Sequence, residues 1–412
     1  MFLDNAIQHG SAYTKGLAIV ESITSTCRAV GIFYDAGDFN MAEPVIKKMW
    51  SQGVQLFALV MGTAAQQAEK ALEKHQIKHL NKDMEAKTEV TAQGWKREAL
   101  LPSSDVDLVV QRVSLLNPQF ILTGTHSAVQ FQLTKAIIDR CALGSENVYC
   151  NYDTVHVTPE NHADGGMTPF LNAGYRFLVP NGLIAARMSS KVSIVGHPPA
   201  ERFVEDVDRA RENRAALFSK LGFSEKEPVI TYIAGYGVGY EESFCGFLQS
   251  IKFMREREYP QLQVIVQIHP KFKLSKKEEL AESILIKREC NVADDIPGIF
   301  VCVDEVSTAE AVSMADLVLS YFSTVVAQAI AAGVPAHFMC VDPEDPRLKE
   351  NLMIEGGIFR NLSTAEAVNT ALKGAMASSN RSSAEAFFTR TQTPTNATDA
   401  MVAVLQRSLA QL

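Results

Sequence analysis

The chain has 412 residues, 47% of them hydrophobic and 21% charged, with a formal net charge of -8. That length exceeds one ordinary hydrophobic core and calls for two domains, and the composition is that of a globular protein. The acidic balance excludes general nucleic-acid binding, which needs a basic footprint, and no apolar run approaches the ~18 residues of a membrane-spanning helix.

The residues from Met1 to Ala6 lack the basic start and apolar core of a signal peptide, so a cytoplasmic setting is expected. Seven cysteines are scattered without a CxxC pair or a zinc-finger spacing, which fits reduced, buried thiols.

Apolar β-rich runs alternate with helix-length segments along the chain, the sequence form of a parallel sheet built from βαβ units. In the first half, residues 27–34 read as a strand ending in Asp35-Ala36-Gly37-Asp38, followed by a helix over 43–52, a strand over 54–61 and a helix over 64–75. An amphipathic helix over 105–116 stops at Asn117-Pro118. A strand over 120–123 leads through Gly124-Thr125-His126-Ser127 into a helix over 128–141. Residues 147–151 form a short strand that opens a polar loop holding Asp153, His156, Glu160, His162 and Asp164, and residues 192–196 form the last strand of the half. That loop has no regular ligand spacing, so a metal reading of it fails.

A helix over 201–220 precedes the polar link 223–228, where the domain boundary is expected. The pattern then restarts: a strand over 229–234, the loop Gly235-Tyr236-Gly237-Val238-Gly239, a helix over 241–257, and a strand over 263–268 that runs into His269-Pro270-Lys271. A lysine- and glutamate-rich helix over 275–286, a strand over 299–303 ending at Asp304-Glu305, a helix over 308–314 and a strand over 317–320 follow. Ser320, Ser323 and Thr324 open a small-residue helix, and a strand over 335–340 completes the sheet. The tail holds helices over 364–376 and 398–410 around a Ser/Thr-rich stretch, 377–397, expected to be mobile. Domains are accordingly expected at 1–222 and 223–385, with 386–412 as a helical extension packing back on the first.

Open α/β sheets bind ligands at the carboxyl ends of their strands, and the polar residues collect there. Gly237 and Gly239 let backbone N–H groups approach an anion at a helix start. The loop is neither a dinucleotide fingerprint nor a P-loop, because its third glycine comes one residue early and no Gly-Lys-Ser/Thr follows. His269 can donate to a phosphate oxygen, with Lys271 beside it. Ser323 serves as a helix cap or a phosphate ligand, and the two uses are compatible. Asp304 and Glu305 are placed to meet ribose hydroxyls. In the first half, Asp35 or Asp38 could remove a proton from a hydroxyl, Asp38 serving equally as an N-cap; His126 and His156 are further candidates for base or substrate contact.

Together, the architecture and motifs resemble the GT-B glycosyltransferases, implying two Rossmann-like domains facing across a cleft and a C-terminal helix crossing back. His269-Pro270 and Ser320-Tyr321-Phe322-Ser323-Thr324 resemble the HP and serine motifs of bacterial sialyltransferases, polysialyltransferases and CDP-glycerol glycerophosphotransferases. The resemblance implies that His269, Ser323 and Thr324 contact the donor phosphate and that Asp35 or Asp38 is the base. The implied activity is transfer of a sugar or polyol phosphate from a nucleotide-activated donor to a glycan, lipid-linked or protein acceptor. No cofactor beyond that donor is implied, and peripheral membrane contact is compatible with it. The DxD at Asp105-Val106-Asp107 starts a helix and does not end a strand, so no catalytic metal is required. The non-hydrolysing UDP-N-acetylglucosamine 2-epimerases share the two-domain plan, but their paired glycines and glutamates have no counterpart in residues 320–331. A non-catalytic sugar- or nucleotide-binding protein is the remaining alternative.

Overall fold

The computed structural model describes residues 16–20, 28–71, 77–81, 88–90, 96–98, 100–161, 167–189, 191–235, 239–268, 299–302, 305–377 and 380–409. The helix expected over 275–286 lies outside them. The chain divides into two compact units: Met1–Thr154, Thr158–Pro199 and Pro394–Leu412 form the first, and Val155–Val157 with Ala200–Thr393 form the second. Residues 222 and 223, where the boundary is expected, lie inside the second unit, and the tail joins the first unit from Pro394 onward.

The first unit contains β1 (Gly16–Val20), β2 (Arg28–Phe33), β3 (Gln55–Val60), β4 (Ile77–Asn81), β5 (Thr88–Val90), β6 (Lys96–Glu98), β7 (Phe120–Thr123), β8 (Val148–Asn151), β9 (Arg176–Val179) and β10 (Val192–Ile194). Eight of these form one sheet in the order β10-β9-β8-β7-β2-β3-β1-β4, and β5 and β6 pair separately. The run from β3 through β10 is parallel, whereas β1 lies antiparallel to both its neighbours. β7 and β8 are buried along their whole length, as expected of strands covered on both faces. β2 pairs with β3 on one side and β7 on the other, so the chain reverses its direction of winding between β2 and β7. That gap is a topological switch point.

The helix Ala36–Ser51 begins earlier than residue 43. Asp35 caps it by accepting from the Gly37 amide, and Pro44 removes one internal donor without ending it. Its apolar face (Phe39, Val45, Ile46, Met49) packs with Met401, Val402 and Leu405 of the last helix, Ala397–Leu409. Each such side chain taken from water contributes roughly 1.5–3 kcal/mol. An ion pair between Lys48 and Asp399 fastens the rim of this contact.

The second unit holds one sheet of five parallel strands in the order β13-β12-β11-β14-β15. These are β11 (Val229–Ile233), β12 (Gln263–Gln267), β13 (Ile299–Cys302), β14 (Leu317–Ser320) and β15 (Ala336–Phe338). Its switch point falls between β11 and β14. The helix Tyr240–Arg257 packs Phe244, Phe247, Leu248, Ile251 and Met254 into the core against Tyr232 and Val266. Part of the stretch expected to be mobile forms the helix Asn380–Thr391, whose Phe387 is buried. Cys141, Cys150, Cys302 and Cys340 are free thiols, and the last three are buried. Among the described residues no helix is long and apolar enough to cross a membrane.

Leu405 is fully buried in the first unit's core. Leu405→Ala should therefore cost about 2–5 kcal/mol by cavity formation, read from urea unfolding. An unchanged midpoint would show that the returning helix does not carry that core.

Candidate active site

Three strand ends meet beside the switch point of the first sheet. After β2 come Asp35 and Asp38, after β7 come Thr125 and His126, and after β8 comes Asp153. Asp38 sits in the first turn of the helix Ala36–Ser51 and is completely buried. Its Oδ2 accepts from Gln130 Nε2 at 2.9 Å, and its Oδ1 lies 3.4 Å from the Thr125 amide. Asn151, also fully buried, donates from Nδ2 to the Asp38 carbonyl at 3.1 Å. The His126 Nε2 lies 2.7 Å from Asp153 Oδ1 and 3.9 Å from Asp38 Oδ1. One imidazole edge therefore faces two carboxyl groups.

Two glycines make this approach possible. A Cβ on Gly124 would lie 2.0 Å from Asp38 Oδ2 and 2.3 Å from Gln130 Nε2. A Cβ on Gly37 would lie 2.3 Å from Asp153 Oδ2. Real Cβ contacts are not that short, so any side chain at either position would displace a carboxylate.

The electrostatics divide the three groups. Burial pushes the Asp38 carboxyl up from 3.8 to about 7; the facing His126 opposes the rise and the Asp153 charge adds to it. Burial would favour neutral His126, but the Asp153 and Asp38 charges and the Asp153 hydrogen bond hold the imidazole well above its ordinary value. Burial likewise works against ionised Asp153, yet His126 and the Thr154 hydroxyl, 3.2 Å away, hold it well below the usual carboxylate range. The resting arrangement near neutral pH is an imidazolium–carboxylate pair beside a carboxylic acid poised between its two forms. Among the described residues, no group of three His, Cys, Asp or Glu side chains is arranged to hold a metal ion.

Asp35, Asp38 and His126 thus come together, with Asp35 as the helix cap and Asp38 buried beneath. His156 belongs to the second unit, where its ring meets Phe338 edge-on and its carbonyl accepts from the Leu352 amide.

In the second unit, Ser320 and the Gly235 side of the glycine loop lie across the β11–β14 switch point. The buried Ser320 hydroxyl donates to the Ile233 carbonyl at 2.9 Å, which commits its proton to the sheet. Ser323 Oγ accepts from the Val325 amide at 3.3 Å, and the Thr324 side chain makes no capping bond to the helix Val325–Ala331. Phe322, just before Ser323, has a φ of 53°, a left-handed conformation rare for an aromatic residue. Tyr321 seals Gly235, where a Cβ would lie 2.5 Å from its carbonyl oxygen, and Arg347 donates to the Tyr321 hydroxyl. Gly239 precedes the helix Tyr240–Arg257, which has no side-chain cap bond. Glu305 is exposed, with its carbonyl accepting from Lys220. Gly237, His269, Lys271 and Asp304 lie outside the described residues.

Sequence reasoning missed Gln130, Asn151 and His197. Gln130 carried a signal, since Ser127-x-x-Gln130 is a capping box: the Ser127 amide donates to Gln130 Oε1 at 2.9 Å, which leaves Nε2 to reach Asp38. Asn151 and His197 carried none, because their partners lie far away in sequence.

No family model matches the chain, and no curated protein matches it in sequence. Solved structures match along almost its full length. MnaA of S. aureus with UDP superposes with a TM-score of 0.63 at 13% identity, covering 94% of this chain and 98% of that one. The UDP-GlcNAc 2-epimerase of Neisseria meningitidis, bound to UDP-GlcNAc, gives 0.60 at 11% identity, covering 93% and 100%. A glycosyltransferase of Rickettsia africae gives 0.59 at 9% identity, covering 93% and 98%. At such identities the likeness is one of fold. The chain has the α/β GT-B fold with two Rossmann-like domains.

The proton affinities set a pH dependence of stability. Asp38 keeps its proton better folded than unfolded, so its contribution is fully present below 3.8 and lost as pH rises through about 7. His126 acts in the same sense, with a contribution present below 6.5 and lost above its raised folded value. Asp153 does the reverse, its contribution being present above 3.8 and lost as pH falls through its depressed folded value. Thermal midpoints between pH 5 and 9 should fall with rising pH, and fall less in Asp38→Asn, which removes one raised group and lowers the other. Parallel curves for the two proteins would show that Asp38 does not govern this window.

Proposed function

We propose that this chain is an enzyme acting on a nucleotide-activated sugar, and that it transfers the sugar (or a polyol phosphate) to a hydroxyl acceptor. The observation that carries the reading is the His126–Asp153 pair over buried Asp38 at the strand ends of the first sheet. Attack by a hydroxyl requires removal of its proton as the new bond forms. Neutral His126 would accept that proton, and Asp153 would stabilise the imidazolium produced. Asp38 would tune the imidazole from beneath.

Departure of a nucleotide phosphate requires donors fixed where negative charge develops. The second unit would provide them from Ser323, Thr324 and the Gly239 end of its long helix, together with His269 and Lys271 of the HP motif. Glu305, with Asp304, would meet the ribose. The pairing of HP and serine motifs supports a narrower placement among the sialyl-, polysialyl- and CDP-glycerol-type transferases, acting in glycan or glycoconjugate synthesis in the cytoplasm. No cofactor is needed for such a displacement.

A second reading, sugar-nucleotide epimerisation, is favoured by the full-length likeness of fold to a UDP-GlcNAc 2-epimerase. A carboxylic acid poised near neutrality beside an imidazolium would also suit proton return to a sugar carbon.

A thermal-shift screen with CMP, CDP, UDP and GDP should find one nucleotide that raises the melting midpoint. The matching activated sugars should then be consumed only with a hydroxyl acceptor present. His126→Asn should lower turnover by about 10²-fold or more while keeping the nucleotide shift. Because the base must be neutral, kcat/KM should rise with pH through a midpoint above 6.5. Conversion of UDP-N-acetylglucosamine to its manno epimer without acceptor would replace transfer by epimerisation. Nucleotide binding without turnover of any donor would leave a binding protein.

A further inference from the structure

The position of Asp153 is set from outside the acid–base cluster. His197, almost wholly buried just past the end of β10, places its Nε2 3.1 Å from the Asp153 carbonyl oxygen. A carbonyl only accepts, so Nε2 carries the proton and donates. β9 lies between β10 and β8 in the sheet, so this bond joins the segments that follow two strands that are not neighbours. Burial drives the His197 ring down to about 4, which keeps it neutral at working pH and preserves its donor tautomer.

His197 is in turn seated by the returning C-terminus. Gly196 has a φ of 82°, and a Cβ there would lie 2.8 Å from the Pro394 carbonyl oxygen and 2.7 Å from the Ala397 Cβ. The start of the last helix therefore closes directly over the backbone that presents His197. On the opposite side, Gly37 admits the Asp153 carboxylate. Asp153 is held between a backbone anchor and a glycine seat, and its carboxylate is left to meet His126.

We propose that His197 is a positioning residue for the His126–Asp153 pair. Its hydrogen bond to the Asp153 carbonyl holds the loop after β8 in the setting where the carboxylate reaches the imidazole, and the C-terminal segment fixes His197 through Gly196. The inference rests on His126 as the acid–base group. It predicts that loss of the His197 donor relaxes Asp153 away from His126 without removing either partner.

The test follows imidazole titration by NMR in histidine-labelled full-length protein, each signal assigned by its loss on substitution. Asp38, Asp153 and Asp35 are the charged groups acting on His126, so its midpoint reports their distance. In the wild type, His197 should show the neutral Nε2–H tautomer at pH 7, and His126 should titrate above its ordinary value. His197→Phe keeps the ring volume without the donor and should lower the His126 midpoint by one pH unit or more, a tenfold loss of proton affinity. His197→Gln, whose Nε2 sits where the imidazole Nε2 does, should restore most of it.

An Nδ1–H tautomer in the wild type would overturn the proposal, as would an unchanged His126 midpoint in folded His197→Phe. Should the Phe variant fail to fold, the wild-type tautomer and the Gln variant still decide, a Gln midpoint as low as that of free imidazole counting against the donor role. The titration needs no substrate. Absence of turnover would sink the enzymatic reading and leave this result standing, whereas active protein with an unmoved midpoint would do the reverse.

Discussion

A carboxyl group with no solvent exposure constrains everything around the first sheet's switch point. Asp38 cannot be left charged in apolar surroundings without a compensating partner, and the structure answers with two devices. Gln130, freed by its place in a helix-capping box, donates to one oxygen, and the other faces His126. The second device is a raised proton affinity, which lets the group stay neutral. Neutralisation limits the cost of burial, but at alkaline pH that cost remains on the order of a few kcal/mol. An asparagine would avoid it. The first unit nevertheless keeps an ionisable group under this penalty, with the His126 Nε2 3.9 Å away.

The second unit meets a different constraint, the turn from β14 into the helix Val325–Ala331. Its switch point is closed by Ser320, whose hydroxyl ties β14 to β11 and so fixes the separation of the two strand ends. Phe322 then turns through the left-handed region, a conformation that costs on the order of 1 kcal/mol or more and persists only where surroundings enforce it. The Arg347 guanidinium lies 4.4 Å from its ring centroid and donates to Tyr321 beside it, which locks the turn from outside.

Much of this was legible in the sequence, for identifiable reasons. Continuous apolar runs such as Phe120-Ile121-Leu122 mark strands covered on both faces, and their punctuation by Asp35, Gly124 and Ser320 locates the strand ends where sites form. The alternation of such runs with helices carried the fold class. Other features lay beyond a local reading. β1 and β4 form an edge that needs antiparallel pairing with no hairpin to announce it. The helix Asn380–Thr391 is polar enough in composition to resemble a linker, and its buried Phe387 and Thr391 reveal packing. Asp153 and His156 fall in different units although they stand three positions apart, because the chain passes from the first unit to the second at Val155–Val157.

The same long-range logic explains why a helix far along the chain bears on the His126–Asp153 pair. A carboxylate on a loop has several rotamers and a mobile backbone, and ordering both costs entropy that one hydrogen bond to an imidazole barely offsets. Holding Asp153 at its carbonyl removes the backbone share of that cost before the carboxylate engages His126. The holding group must itself be rigid, and His197 is made so by a glycine pressed under Pro394 and Ala397. Apolar burial of Met401, Val402 and Leu405 thus does more than stabilise the first unit. It also brings Pro394 and Ala397 against Gly196, next to the histidine that donates to the Asp153 carbonyl.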